Sequence, residues 1–373
     1  MDFDIFSFFY SCIEMEAGVN FSFVLIPPSL QESEITMKAQ RPTGLKALSV
    51  LAVAAIMLVT SAPAHASPVL TAAGTAAGFT LDTFASGGPT GYYPFLAGAA
   101  VGGNLVVVDQ AGFLRLFTDV NNHAYNSQLT SLSVPSVINI ANAGGNTYAS
   151  VLGGGLLKVG VGVGPTLSTT PVSVPGFAFG YGLAGNPVNG HLYAPFGTGG
   201  AAGIYDINPL TGVTSAIYTG AYIDGVSVSP DGKTVYGAAA GINKILGFDI
   251  ATHAQVFSLT QAGADGTGVI AGGLYDGYVI SNNNNGSVYL INPSGTTSIA
   301  IITGLNRGDF TSPDTNNGTL LLADFGASYR LGAPGGSFGI SSVPEPASVA
   351  VFGVLAVGGA VCGWRRRRQA AVA

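Results

Sequence analysis

Three aspartates are the residues of this sequence best placed to do chemistry: Asp224, Asp265 and Asp309, each at or near the start of a recurring β-rich run. Carboxylates that converge on one point suit a hard cation such as Ca2+, which takes oxygen ligands. No motif demands a cofactor, and Ca2+ is the one the sequence leaves room for. The competing role is structural, because an Asp in such a place caps a turn or bonds a neighbouring backbone. From Ser67 to Ser342 there is no glutamate to join the set, so the structural role is the primary expectation. A second constellation is aromatic: Tyr92, Tyr93, Phe177, Phe179, Tyr181 and Tyr222 all stand just before such runs. Rings gathered on one face can stack on sugars, although the commoner use of buried rings is to pack one sheet against the next.

The rest of the catalytic inventory is thin. His123, His191 and His253 form no HExxH and no HxH, and there is no G-x-S-x-G elbow. Gly232-Lys233-Thr234 resembles the end of a phosphate loop, but Ser227 stands where that loop needs glycine. Gly180 to Gly185 fits G-x-G-x-x-G, yet the turn Asn186-Pro187-Val188-Asn189-Gly190 follows it in place of a helix. The runs Asn282–Asn285 and Asp314–Gly318 lack the alternating Asp spacing of calcium loops and are expected to be solvated hairpin tips. No catalytic residue is therefore assigned. Charge excludes nucleic acid as a partner. The span Ser67–Ser342 carries twelve aspartates against Arg115, Lys158, Lys233, Lys244, Arg307 and Arg330, and phosphate binding needs clustered Lys and Arg. Cys12 and Cys362 both lie outside that span, so its stability must come from packing and not from a disulfide.

The elements that would hold these side chains repeat. Gly103, Gly145, Gly190, Gly232, Gly277 and Gly318 each precede a short β-rich run, at spacings of 42, 45, 42, 45 and 41. Each is expected on a hairpin turn, where glycine accepts positive φ without steric cost. About ten residues later a further strand recurs at Phe113–Phe117, Ile204–Ile207, Ile245–Ile250 and Val288–Ile291, then a fourth such as Ala254–Leu259, and four short strands in ~40–45 residues is the period of a propeller blade. No segment of the span has a 3.6-residue apolar period, which excludes a helical solenoid. The fold class is all-β: a single β-propeller of about six four-stranded blades over residues 67–331, flanked by an N-terminal signal helix and a C-terminal transmembrane helix. The early strand Phe79–Phe84 is expected to complete the last blade and remove an exposed sheet edge.

Val226-Ser227-Val228-Ser229-Pro230-Asp231-Gly232-Lys233-Thr234-Val235-Tyr236, continued by Ile245–Val256, resembles the blade consensus of YVTN-type bacterial propellers. In the similar lactonase-like propellers, acidic residues in the region of Asp224, Asp265 and Asp309 hold a catalytic metal. Those enzymes also use a glutamate and an asparagine at fixed places, and this span has no glutamate.

The ends speak of destination. Residues 1–36 match nothing downstream and are read as an extension ahead of the start at Met37. Lys38, Arg41 and Lys46, the apolar run Ala47–Val59, and Ala64-His65-Ala66 form a secretory signal cleaved by signal peptidase after Ala66. Residues 332–342, rich in Gly, Ser and Pro, are expected to be a flexible linker. Pro344-Glu345-Pro346 then precedes the uncharged run Ala347–Trp364, about the length that spans a bilayer, and the basic block Arg365, Arg366, Arg367 and Arg368. This order of parts resembles the PEP-CTERM sorting tail of Gram-negative bacteria. The resemblance implies an exosortase as partner, with delivery to the cell surface or extracellular matrix. Without tail processing the propeller would stay on the inner membrane, facing the periplasm. The function expected is a non-enzymatic surface or matrix module that binds protein or exopolysaccharide, its rival a metal-dependent lactonase-like hydrolase.

Overall fold

A computed structural model describes residues 67–339, apart from 90–92, 94 and 198–202, together with a short antiparallel ladder of Phe23–Leu25 on Ser33–Ile35. The two regions belong to separate compact units. The calls on the signal (Ala64, Ala66) and on the tail (Pro344, Glu345, Pro346, Arg365–Arg368) lie outside the described residues. Among the described residues no helix is long and apolar enough to cross a membrane.

Six mainly antiparallel sheets form the domain, each with a core of strands wound from the inside outward, the last taking its outer strand from the start of the domain. Their innermost strands are Ala97–Val101, Val137–Ala143, Ala184–Gly185, Val226–Val228, Ala264–Ala271 and Thr311–Asp314. Each packs beside the next, and the last packs beside the first. This is a closed six-bladed propeller. The turn from first to second strand of each blade is made by the six repeat glycines, all with φ between 71° and 77°, a region that costs any residue with a Cβ. Among the described residues helix is limited to one turn, Ala72–Ala76, capped by the Thr71 hydroxyl, and a 3-10 turn at Ala240–Ile242.

The hydrophobic core lies between blades. Leu114 and Leu116 of the first blade meet Ile140, Ala149 and Val159 of the second, and Ile204 and Ile223 meet Val235 and Leu246 farther round. The ring closes as the sequence requires. Thr80–Ser86 pairs antiparallel with Ala327–Gly332, becoming the outer strand of the blade begun at Thr311. Phe84 on that strand is fully buried, with the Arg330 guanidinium 4.8 Å above its ring. Arg330 also pairs with Asp314 at 2.9 Å and with Asp119, tying the last blade to the first. Asp314 was expected at a solvated tip; it is buried because Arg330 needs a counter-charge inside the seam.

The stretch 332–342 is ordered through its described part. Ser337 and Phe338 add a strand to Ala271 and Ile270, on the channel side of that blade, and Phe338 is fully buried among Ile270, Ile280 and Leu320. One large apolar side chain in a run of small ones is enough to dock it.

Candidate active site at the channel mouth

Asp224, Asp265 and Asp309 stand at the same end of three consecutive inner strands, and the glycines that follow bring them together. A Cβ on Gly225 would collide with the Asp265 carbonyl oxygen, and one on Gly266 with that of Asp309. Only glycine lets the strands approach this closely. The Gly225 N–H then donates to the Asp265 carbonyl at 3.0 Å, so backbone bonding fixes the stagger that crowds the carboxylates.

Asp265 is 1% exposed, and its Oδ1 has no hydrogen-bond partner among the described residues. Asp309 is 8% exposed and accepts from the Phe310 N–H at 2.9 Å, while its backbone carbonyl accepts from Asn282 Nδ2. Asp224 is half-buried at the mouth. Burial, then the charges of Asp309 and Asp224, push the Asp265 carboxyl up to about 9. Burial and Asp309 push Asp224 up to about 7, and burial raises Asp309 as well. Two buried carboxyls and a half-buried third whose charges act on one another resist joint ionisation.

Of the aromatic candidates, Tyr93, Tyr181 and Tyr222 do surround this cluster. The Tyr93 ring packs 4.3 Å from Phe325, and its buried hydroxyl lies near Asp309 without a well-formed hydrogen bond. Tyr222 is half-buried, its hydroxyl raised by burial and by Asp224, Tyr181, Asp265 and Asp309 in turn. Tyr181 lies 6.3 Å from Phe310. Phe179 does not belong to the site. It is fully buried, 4.8 Å from Phe177, in the packing between blades with Leu192 and Ile207. Two residues along the chain, Tyr181 falls where the path reaches the channel. Tyr92 lies outside the described residues.

Sequence reasoning passed over two neighbours. Arg307 stands at the rim, its Nε donating to Asn284 Oδ1 at 2.9 Å and its guanidinium 5.7 Å from the Phe325 ring centre. Its charge acts on all three aspartates. The asparagine run was expected in solvent, but Asn282 and Asn283 are fully buried and only Asn284 and Asn285 are exposed. Asn282 Nδ2 ties the Asp309 and Ala323 carbonyls together, which gives the buried amide its purpose.

Among the described residues no three carboxylate, imidazole or thiol groups form a metal cage by themselves. The donors present are oxygens, two of them, Asp265 Oδ1 and Asn282 Oδ1, buried and unpartnered. That chemistry fits a hard cation completing its shell with amide, backbone and water oxygens. Farther along the channel a cavity of about 220 Å³ is lined by Ser227, Thr267 and Thr311. The hydroxyls of Ser227 and Thr311 there already bond Thr267, the first its hydroxyl and the second its carbonyl.

No family model matches this chain, and no curated protein matches it. Solved structures do. A gluconolactonase from Xanthomonas campestris is 15% identical over 72% of this chain and 95% of its own, with a TM-score of 0.52. A structural-genomics protein described as a candidate gluconolactonase matches over the same shares at 15% identity and a TM-score of 0.50. A calcium-binding protein, regucalcin, from Agrobacterium tumefaciens is 15% identical over 69% of this chain and 97% of its own, at 0.49. At such identities the likeness establishes the propeller fold and nothing finer.

Proposed function

We propose that this propeller is a cation-dependent hydrolase acting on a small sugar-derived lactone at the channel mouth. The observation that supports it is the crowding of Asp224, Asp265 and Asp309 into one buried cluster with an unpartnered oxygen on Asp265. A purely structural role for these residues would leave each carboxylate satisfied by a turn or a backbone N–H, as Asp231 and Asp249 are elsewhere. The lactonase reading also draws on the fold shared with the Xanthomonas enzyme.

In this reading Asp265 and Asp309 would hold a divalent cation, which when bound would polarise the lactone carbonyl. Asp224, closer to solvent, takes a proton from water as the water oxygen bonds to the carbonyl carbon. The ring C–O bond then breaks and the ring oxygen receives that proton, giving the open hydroxy acid. Tyr181 and Tyr222 flank the sugar face. The test is release of acid from aldonolactones by the metal-loaded propeller. Turnover that falls by about 10²-fold or more in Asp224→Ala would be expected, and turnover indifferent to metal and to Asp224 would reject the reading.

The sorting tail decides where such an enzyme works, not what it does. Mass spectrometry of the protein from an exosortase-bearing host would show loss of the chain beyond roughly Pro344–Pro346 and recovery outside the cell. A full-length product in the inner membrane would reject sorting.

A further inference from the structure

Arg307 is placed to bind something that the aspartates cannot. Arg115 and Arg330 are buried in ion pairs with Asp109 and with Asp119 and Asp314, and Lys233 pairs with Asp231. Arg307 sits at the rim of the carboxylate cluster yet forms no ion pair among the described residues. Its Nε is tied to Asn284, its backbone N–H donates to Asp324 Oδ1 at 2.9 Å, and its guanidinium lies over Phe325, which itself packs on Tyr93. These contacts orient the exposed Arg307 side chain and leave both terminal amino groups without a partner among the described residues.

A planar fork tethered at Nε, with both terminal amino groups open, matches a carboxylate bidentately. We propose that Arg307 anchors a free carboxylate on the ligand, so that the site prefers acidic sugars and their lactones over neutral ones. The two halves of the site then divide the work. The aspartate cluster, with a cation bound, would take hydroxyl and carbonyl oxygens. Arg307 takes the negative charge that the aspartates would repel, and Tyr93 and Phe325 wall the space behind it. Tethering Nε to Asn284 before the ligand arrives lowers the ordering cost of binding. This inference rests on the channel mouth being the ligand site, but not on hydrolysis.

The test is equilibrium binding, by calorimetry, of D-glucarate and the neutral D-glucitol, neither of which carries a lactone to cleave. Glucarate is expected to bind about 10- to 100-fold more tightly, the range of one charge-assisted bidentate contact. Arg307→Gln should abolish that preference, and Arg307→Lys should keep only part of it, because a point charge lacks the fork. Equal binding of the two ligands, or a glucarate preference that survives Arg307→Gln, would overturn the assignment. Kinetics on D-glucaro-1,4-lactone and glucono-δ-lactone separate the two claims. Absent turnover with an intact, Arg307-dependent glucarate preference defeats hydrolysis alone, whereas turnover without charge preference defeats the carboxylate anchor alone.

Discussion

Replacing Asp265 by Asn should stabilise the metal-free propeller at alkaline pH and not at acid pH. The folded state holds this carboxyl at about 9, against an ordinary 3.8. In the folded chain the neutral form is favoured, while the unfolded chain ionises freely above 3.8. The native state therefore carries no penalty below pH 3.8, loses stability as pH rises, and reaches the full loss near pH 9. At pH 8 the gap from 3.8, at about 1.4 kcal/mol per pH unit, comes to about 6 kcal/mol. That figure is an upper bound, because the three carboxyls titrate as a coupled set, and Asp265→Asn is expected to recover on the order of 2 kcal/mol of it. For a domain of this size that is roughly 4–8 °C in Tm. Thermal melts of wild type and Asp265→Asn in chelator, at pH 4.5 and pH 8, read this directly. The variant should melt higher at pH 8, and the gain should shrink or vanish at pH 4.5. A variant that is equally destabilised at both values would refute the claim that the cluster is strained by charge.

Other outcomes follow from the same geometry. Gly225→Ala drives a Cβ into the Asp265 carbonyl oxygen and should cost about 1–3 kcal/mol by chemical denaturation while weakening cation binding, because the strands must part. Arg330→Met leaves Asp119 and Asp314 buried without their cation, and urea titration should show a loss of about 3–5 kcal/mol; no loss would mean the seam does not depend on that ion cluster. Deleting residues 67–86 strips the closing strand from Ala327–Gly332 and should give aggregation or a Tm lower by more than ~10 °C, since an open edge pairs with other chains. An unchanged melt would show the ring does not need that strand.

Much of this architecture was legible because turns announce themselves. Six glycines at a near-constant period specify six hairpins, and all six adopt the positive φ that the spacing implied. The closing strand was legible too, since a propeller with an unpaired outer edge is an aggregation hazard. Within the candidate site the aspartates could be named because they open the inner strands. Their crowding could not be foreseen, because it depends on how closely neighbouring blades approach at Gly225 and Gly266. Hydropathy misplaced Asn282 and Asn283, polar residues that turn inward to bond strand-end carbonyls. It also misplaced Phe179, two residues from Tyr181 yet sealed between blades. Arg307 carried no motif, and only the fold brings it to the mouth. Phe338 looked like part of a linker because the residues around it are small.

Calorimetric titration of Ca2+ into the chelator-stripped propeller at pH 7 tests the cation-site reading most directly. One saturable site, with a dissociation constant on the order of 10⁻⁴–10⁻³ M or tighter, should appear together with release of protons, because the cation displaces them from the raised carboxyls. Asp265→Asn should remove the binding. Absence of any saturable site for Ca2+, Mn2+ or Zn2+, or binding left intact in Asp265→Asn, would contradict the proposal that the aspartate cluster is a cation-dependent active site.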